Sequence, residues 1–136
     1  MKRTWIVVVA VLIALHGLVH LMGTVAYLRF AEVQGSPYKT TFFDGRWDLG
    51  ELGITVFGVL WALTAVGFVS SAFGLGFKRF WWRPVLFAVT FLSLALTLLA
   101  SSVAFAGLVI NLLIVLFLIA DSRFGYSRLS HRRMVK

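Results

Sequence analysis

Hydrophobic residues in this chain fall into long blocks separated by short polar stretches. The first block, about residues 4–28, contains WIVVVAVLIALHGLVHLMGTVAY and is long enough to cross a bilayer as a helix. The second covers about residues 50–74. Residues 84–120 are apolar almost throughout, and one helix of that length would extend about 55 Å. The pattern therefore predicts two further spans, about 84–101 and 104–120, with a tight turn in Ala100–Gly107 around Ser101 and Ser102. A single long tilted helix is the alternative. Segment 29–49 is the long polar connection, with Gly35, Ser36, Pro37 and Gly45 as turn signals. The second helix is expected to begin near Asp44–Asp48, where acids favour the positive end of the helix dipole. The link 75–83 is short and basic, with Phe80, Trp81 and Trp82 as interface anchors and Pro84 suited to the next helix's first turn.

Composition agrees with this pattern. The chain has 136 residues, 60% of them hydrophobic, and its mean hydropathy is +0.94. An all-α, integral membrane four-helix bundle of one domain is expected. The absence of cysteine excludes disulfides, thiolate metal sites and thiol chemistry. Lys2 and Arg3 before the first block could suggest a signal peptide. The apolar run is too long for that and has no small-residue cleavage site, so a retained span is expected.

Charge supplies the topology. Net charge is +8, and Arg123, Arg128, Arg132, Arg133 and Lys136 cluster in the segment 121–136 after the last block. With four spans this tail shares a side with Lys2, Arg3, Lys78, Arg79 and Arg83. The opposite side holds the charge-balanced loop 29–49 and the serine turn. The positive-inside rule makes the basic side cytoplasmic, with both termini inside, in a plasma (inner) membrane. The basic tail then rests on anionic lipid headgroups. Nothing supports nucleic-acid binding.

Each block carries its polar residues on one helical stripe. His16, His20, Gly23 and Tyr27 share a face of the first, and Asp48, Glu51, Thr55, Gly58 and Ala62 a face of the second. Thr90, Ser93, Thr97 and Ser101 share a face of the third, and Gly107, Asn111, Ile114 and Leu118 a face of the fourth. Lipid-facing polar groups would be unpaired and costly, so the stripes are expected to meet in one interior seam. Helical rise places His16, Ser93 and Asn111 near the midplane, and His20 and Thr97 about 6 Å nearer the outer face. Glu51 and Thr55 lie farther out, leaving about 9 Å of axial gap between His20 and Glu51. In span two the pairs Gly58/Ala62 and Gly67/Ser71 would let a neighbouring helix approach closely.

The histidine pair admits several readings. The rings can be neutral interhelical glue bonded to Ser93, Thr97 and Asn111. A metal ion could be held by His16 and His20 at i, i+4 with Glu51 or Asp48 as a further ligand. One haem cannot take both histidines as axial ligands, which must approach from opposite faces; a single-histidine or inter-chain haem stays open. A proton relay from Glu51 through His20 and His16 lacks an acidic or basic residue on the cytoplasmic half before Asp121. No nucleophile–base constellation or phosphate loop is present.

The string LHGLVHLMG (Leu15–Gly23) resembles a pattern, HGxxHxxG, of small uncharacterised bacterial four-span proteins, and INLLIVLFL is similar to their last span. That resemblance implies no activity. The layout also looks like that of the DoxX-like membrane proteins, whose first helix often carries an HG pair followed by a basic residue and another glycine. Here His20 stands at the basic position. This second resemblance implies association with respiratory or quinone-linked complexes. The leading expectation is a non-enzymatic accessory or partner-binding subunit that packs on itself, as a homo-oligomer, or within a larger membrane complex through its small-residue faces. The competing expectation is a protein that binds a metal, haem or quinone through His16 and His20.

Overall fold

The computed structural model describes residues 3–134, for 101–103 and 121–134 the backbone alone. Four helices account for most of it: α1 (Arg3–Tyr27), α2 (Gly50–Gly76), α3 (Trp82–Leu99) and α4 (Ser101–Met134). The first three are long and apolar enough to cross a membrane, while the apolar part of α4 is the shorter segment Ala104–Ala120.

Contacts between helices set an up-down-up-down order. On α1, Gly17 faces Phe68 and Gly23 faces Trp61; Gly58 of α2 faces Tyr27 and Leu28. Position numbers rise on one helix as they fall on the other, so α1 and α2 are antiparallel. Gly67 meets Val89 and Gly74 meets Trp81 and Trp82, which makes α2 and α3 antiparallel. The Ser93–Asn111 hydrogen bond and the Thr97–Gly107 contact do the same for α3 and α4. These close approaches require glycine at the crossing points because a Cβ would meet its neighbour at less than van der Waals distance.

Two apolar cores result. Tyr27, Phe42, Ile54, Phe57, Trp61, Leu96 and Ala100 fill the end carrying loop 29–49 and the α3–α4 turn. Ile13, Phe68, Ala72, Leu75, Leu86 and Ile114 fill the half nearer the α2–α3 link. Outward positions such as Leu12, Leu63, Val66, Phe87, Phe91 and Leu113 are large, apolar and exposed. In water that surface would be a liability; in hydrocarbon it is the ordinary exterior of a bundle.

Local details correct several expectations. Instead of starting α2, Asp44–Asp48 belongs to a small hairpin, in which β1 (Thr41–Phe42) pairs with β2 (Trp47–Asp48). Phe43, Asp44 and Gly45, all at positive φ, make its turn. The Asp48 carboxylate accepts the Gly50 N–H at 2.9 Å, and this bond, with a further one from Thr40, holds its pKa below the usual aspartate value. The turn between α3 and α4 is a single residue, Ala100, inside the expected window but without a loop. Just beyond it Ala104 departs from helical dihedrals (φ −118°, ψ 24°) and kinks α4. The α4 backbone then continues past the expected end at 120 to Met134. Arg123, Arg128, Arg132 and Arg133 lie on that stretch, where side chains are outside the described residues, and Lys136 is outside them altogether.

Candidate functional site

The polar stripe of α1 does face inward. His16, Gly17, His20 and Gly23 are all buried, and they are the four residues of the HGxxHxxG motif. Gly17 lets the α2 backbone approach, since a Cβ there would sit 2.7 Å from Phe68 Cβ and 3.1 Å from the Ala65 carbonyl oxygen. At Gly23 a Cβ would run into the Trp61 ring. The two glycines are therefore notches for α2 side chains on either side of the histidines. Phe68 and Trp61, so placed, enclose the imidazoles. Ring centroids are 4.8 Å apart for His16–Phe68, 5.1 Å for His20–Trp61 and 4.8 Å for the histidine pair itself.

From α3 and α4 come the polar partners. His16 Nε2 lies 3.0 Å from Asn111 Oδ1. Asn111 Nδ2 donates to Ser93 Oγ at 2.7 Å. Ser93 Oγ lies 2.6 Å from His20 Nε2, and His20 Nδ1 lies 2.9 Å from the His16 carbonyl oxygen. The chain of bonds thus returns to the residue where it began.

Its polarity follows from one fixed point. A carbonyl oxygen only accepts, so His20 Nδ1 carries a proton. Among the described residues the Ser93 hydroxyl has no acceptor other than His20 Nε2, so it donates there, and His20 is neutral and protonated on Nδ1 alone. Thr97 spends its proton on backbone carbonyls of Ser93 and Leu94 and can only accept from Asn111 Nδ2, at 3.4 Å. That fixes the amide orientation and leaves Asn111 Oδ1 as acceptor, so His16 donates from Nε2. Every bond around the circuit then runs in one sense, which strengthens each through its neighbours. Ser93 and Asn111 are 0% exposed and His20 is 2% exposed, where unpaired polar groups would be costly.

Among the described residues no carboxylate stands beside His16 to pair a second proton, which would be an isolated charge in the interior, so the remaining nitrogen, Nδ1, carries a lone pair. No hydrogen bond to it occurs among the described residues. Both nitrogens of His20 are engaged, so a metal bound by the two histidines together would have to break the circuit. Glu51 does not join them. It accepts from Arg29 at 2.8 Å on both oxygens and from Tyr38 at 2.9 Å. Among the described residues no group of three histidine, aspartate or glutamate side chains is positioned to hold a metal ion. Arg29 stacks its guanidinium over the Tyr38 ring, and its pKa is raised, chiefly by hydrogen bonding to Tyr38 and then by Glu51. This cluster is exposed and belongs to the loop end of the bundle.

The structure brings together His16, His20, Ser93, Thr97 and Asn111 and leaves Glu51 and Thr55 outside. Ser93 bonds His20 directly rather than His16. Thr55 is exposed and returns its hydroxyl to the Glu51 carbonyl. The buried face of α2 instead runs through Ile54, Phe57, Gly58, Trp61, Thr64, Ala65, Phe68, Ser71, Ala72 and Leu75. Thr64 and Ser71 satisfy themselves on backbone carbonyls one turn back. Trp61 and Phe68, the aromatic walls of the site, escape a search for polar stripes. Their signal is complementary volume, two large rings spaced to fit two glycines on α1.

The chain matches no family model, no curated protein and no solved structure.

Proposed function

We propose that this chain is a small multi-pass membrane protein with a binding or accessory role and no catalytic centre of its own, with both termini on the cytoplasmic side of a plasma (inner) membrane. The observation that carries this reading is the closed hydrogen-bond circuit. It pairs the polar side chains of the seam with one another without creating a charge, and its one hydroxyl–imidazole pair, Ser93 and His20, is sealed in the interior at 0% and 2% exposure. Interhelical hydrogen bonds of this kind are each worth about 1 kcal/mol in a bilayer, so the circuit supports the fold. Apolar exteriors on α1, α2 and α3 support insertion, and the distribution of Lys and Arg supports the orientation.

Function would then reside in what the bundle contacts within the membrane, either lipid-soluble molecules or other helices. The absence of cysteine makes the topology simple to test. A single cysteine at Ser36 should react with a membrane-impermeant maleimide on intact cells, and one at Ser130 only after permeabilisation. Reaction of both from one side would overturn the four-span, termini-inside reading.

A further inference from the structure

Helix packing follows chain order, α1 on α2, α2 on α3 and α3 on α4, whereas the α1 and α4 backbones stay apart and are bridged by long side chains such as the His16–Asn111 pair. Two clefts open on that side. One, of about 690 Å³, lies between Leu12, Leu15 and Val19 of α1 and Ile110, Leu113 and Phe117 of α4, with His16 as its polar wall. The other, of about 290 Å³, leads from loop residues Val33–Ser36 to His16, His20, Trp61, Tyr27 and Thr97. His16, Val19, Ala106 and Gly107 line both clefts, so they adjoin at the histidine.

The chemistry at this junction is asymmetric. His16 Nδ1 offers an acceptor lone pair with no partner among the described residues. Trp61, 6% exposed and part of the smaller cleft's wall, has a buried indole N–H without a partner. Buried unpartnered groups are rare in folded interiors; Trp61 Nε1 and Thr24 Oγ1 are the two among the described residues, and His16 Nδ1 differs from them in belonging to a residue that lines both clefts. An acyl chain would fill the apolar cleft but leave the His16 acceptor unspent. A hydroxyl on a flat ring would donate to Nδ1, and the aromatic walls suit the ring.

We propose that the α1/α4 side binds a long-tailed phenol: the ring occupies the smaller cleft beside His20, Trp61 and Tyr27, the hydroxyl donates to His16 Nδ1, and the tail lies along the larger apolar cleft. The proposal rests on the membrane reading above and adds the ligand class. The hydroxyl is the discriminating feature, because the same tail without it keeps the apolar burial and loses the bond to His16.

The test uses full-length protein in phosphatidylcholine nanodiscs, with nitrogen NMR of isotopically labelled histidine as readout. Para-dodecylphenol should shift the His16 Nδ1 resonance saturably, and its methyl ether should bind about tenfold more weakly, the loss expected for one hydrogen bond. Ala106→Phe, on the exposed side of α4, should block both clefts, abolishing the saturable shift while the Nε2 resonance of His20 stays in place. Equal binding of phenol and ether, as for any acyl-like tail, would overturn the proposal. So would a response that survives Ala106→Phe, or a cleft closed by a second copy, seen as dimers that ignore the phenol. Correct labelling at Ser36 and Ser130 with no phenol discrimination would overturn the ligand class and leave the membrane reading standing.

Discussion

Replacing Asn111 with Leu should destabilise the bundle by about 3 kcal/mol, from lost interhelical bonds and a stranded donor. Asn111 is joined to α1 and α3 at once, through His16, Ser93 and Thr97. Leucine has similar volume, so little of the loss would come from a cavity. It would come from His16 Nε2–H, left facing an apolar side chain on the buried side of the ring. Removing the donor as well should undo part of the damage. The double variant His16→Leu/Asn111→Leu should therefore lose less than the two single losses added together. Titration of the folded fraction with sodium dodecyl sulfate in mixed micelles measures each. Additive losses would show that the two residues do not share a bond.

Gly17→Val should be at least as damaging, at about 3 kcal/mol, the upper end for an overpacked interior. The atoms a Cβ would meet are Phe68 Cβ and the Ala65 carbonyl oxygen, at 2.7 and 3.1 Å. Neither can swing aside as the end of a long side chain can, so α1 and α2 must part. That separation would withdraw Phe68 and Trp61 from the histidines. Gly76→Val is the control, because nothing lies within 4 Å of a Cβ there. The same detergent titration should show Gly17→Val far below wild type and Gly76→Val close to it. Equal losses at both positions would mean that valine acts through backbone propensity, and that the close α1–α2 approach at Gly17 does not set the loss.

The two resulting phenotypes mark what sequence alone could and could not supply. The apolar blocks placed the helices well, since length and hydropathy are what a bilayer demands of a span. Stripes on α1, α3 and α4 brought His16, His20, Ser93, Thr97 and Asn111 together, because buried polar groups need partners and few were available. On α2 the same logic failed. Polarity pointed to Glu51 and Thr55, yet the loop supplies Arg29 and Tyr38 to Glu51, and Thr55 satisfies itself on its own backbone. The face of α2 was chosen instead by shape, through the fit of Phe68 and Trp61 to Gly17 and Gly23. Lipid is as apolar as leucine, so hydrophobicity does not say which side of a membrane helix packs inward.

Helix ends were the least legible feature. α1 closes at Arg29 and α2 at Lys78, each with positive φ and with backbone bonds that reach five residues back, from Phe30 to Val25 and from Arg79 to Gly74. Glycine is the usual residue at such a position. Arg29 holds it while its guanidinium is fixed between Tyr38 and Glu51, an arrangement that depends on tertiary contacts. Similarly, Asp48 reads as a helix-start signal, but it works one step earlier, closing the hairpin and accepting the Gly50 N–H.

The circuit joins two neutral histidines, and their tautomers test it most directly. Nitrogen NMR of histidine-labelled protein in liposomes, in a His131→Gln background, reads both rings. His16 should carry its proton on Nε2 and His20 on Nδ1, with the His20 signal unchanged by Ala106→Phe and altered by Ser93→Ala. A doubly protonated ring at either position near neutral pH, or His20 protonated on Nε2 alone, would contradict the circuit and with it the free His16 acceptor.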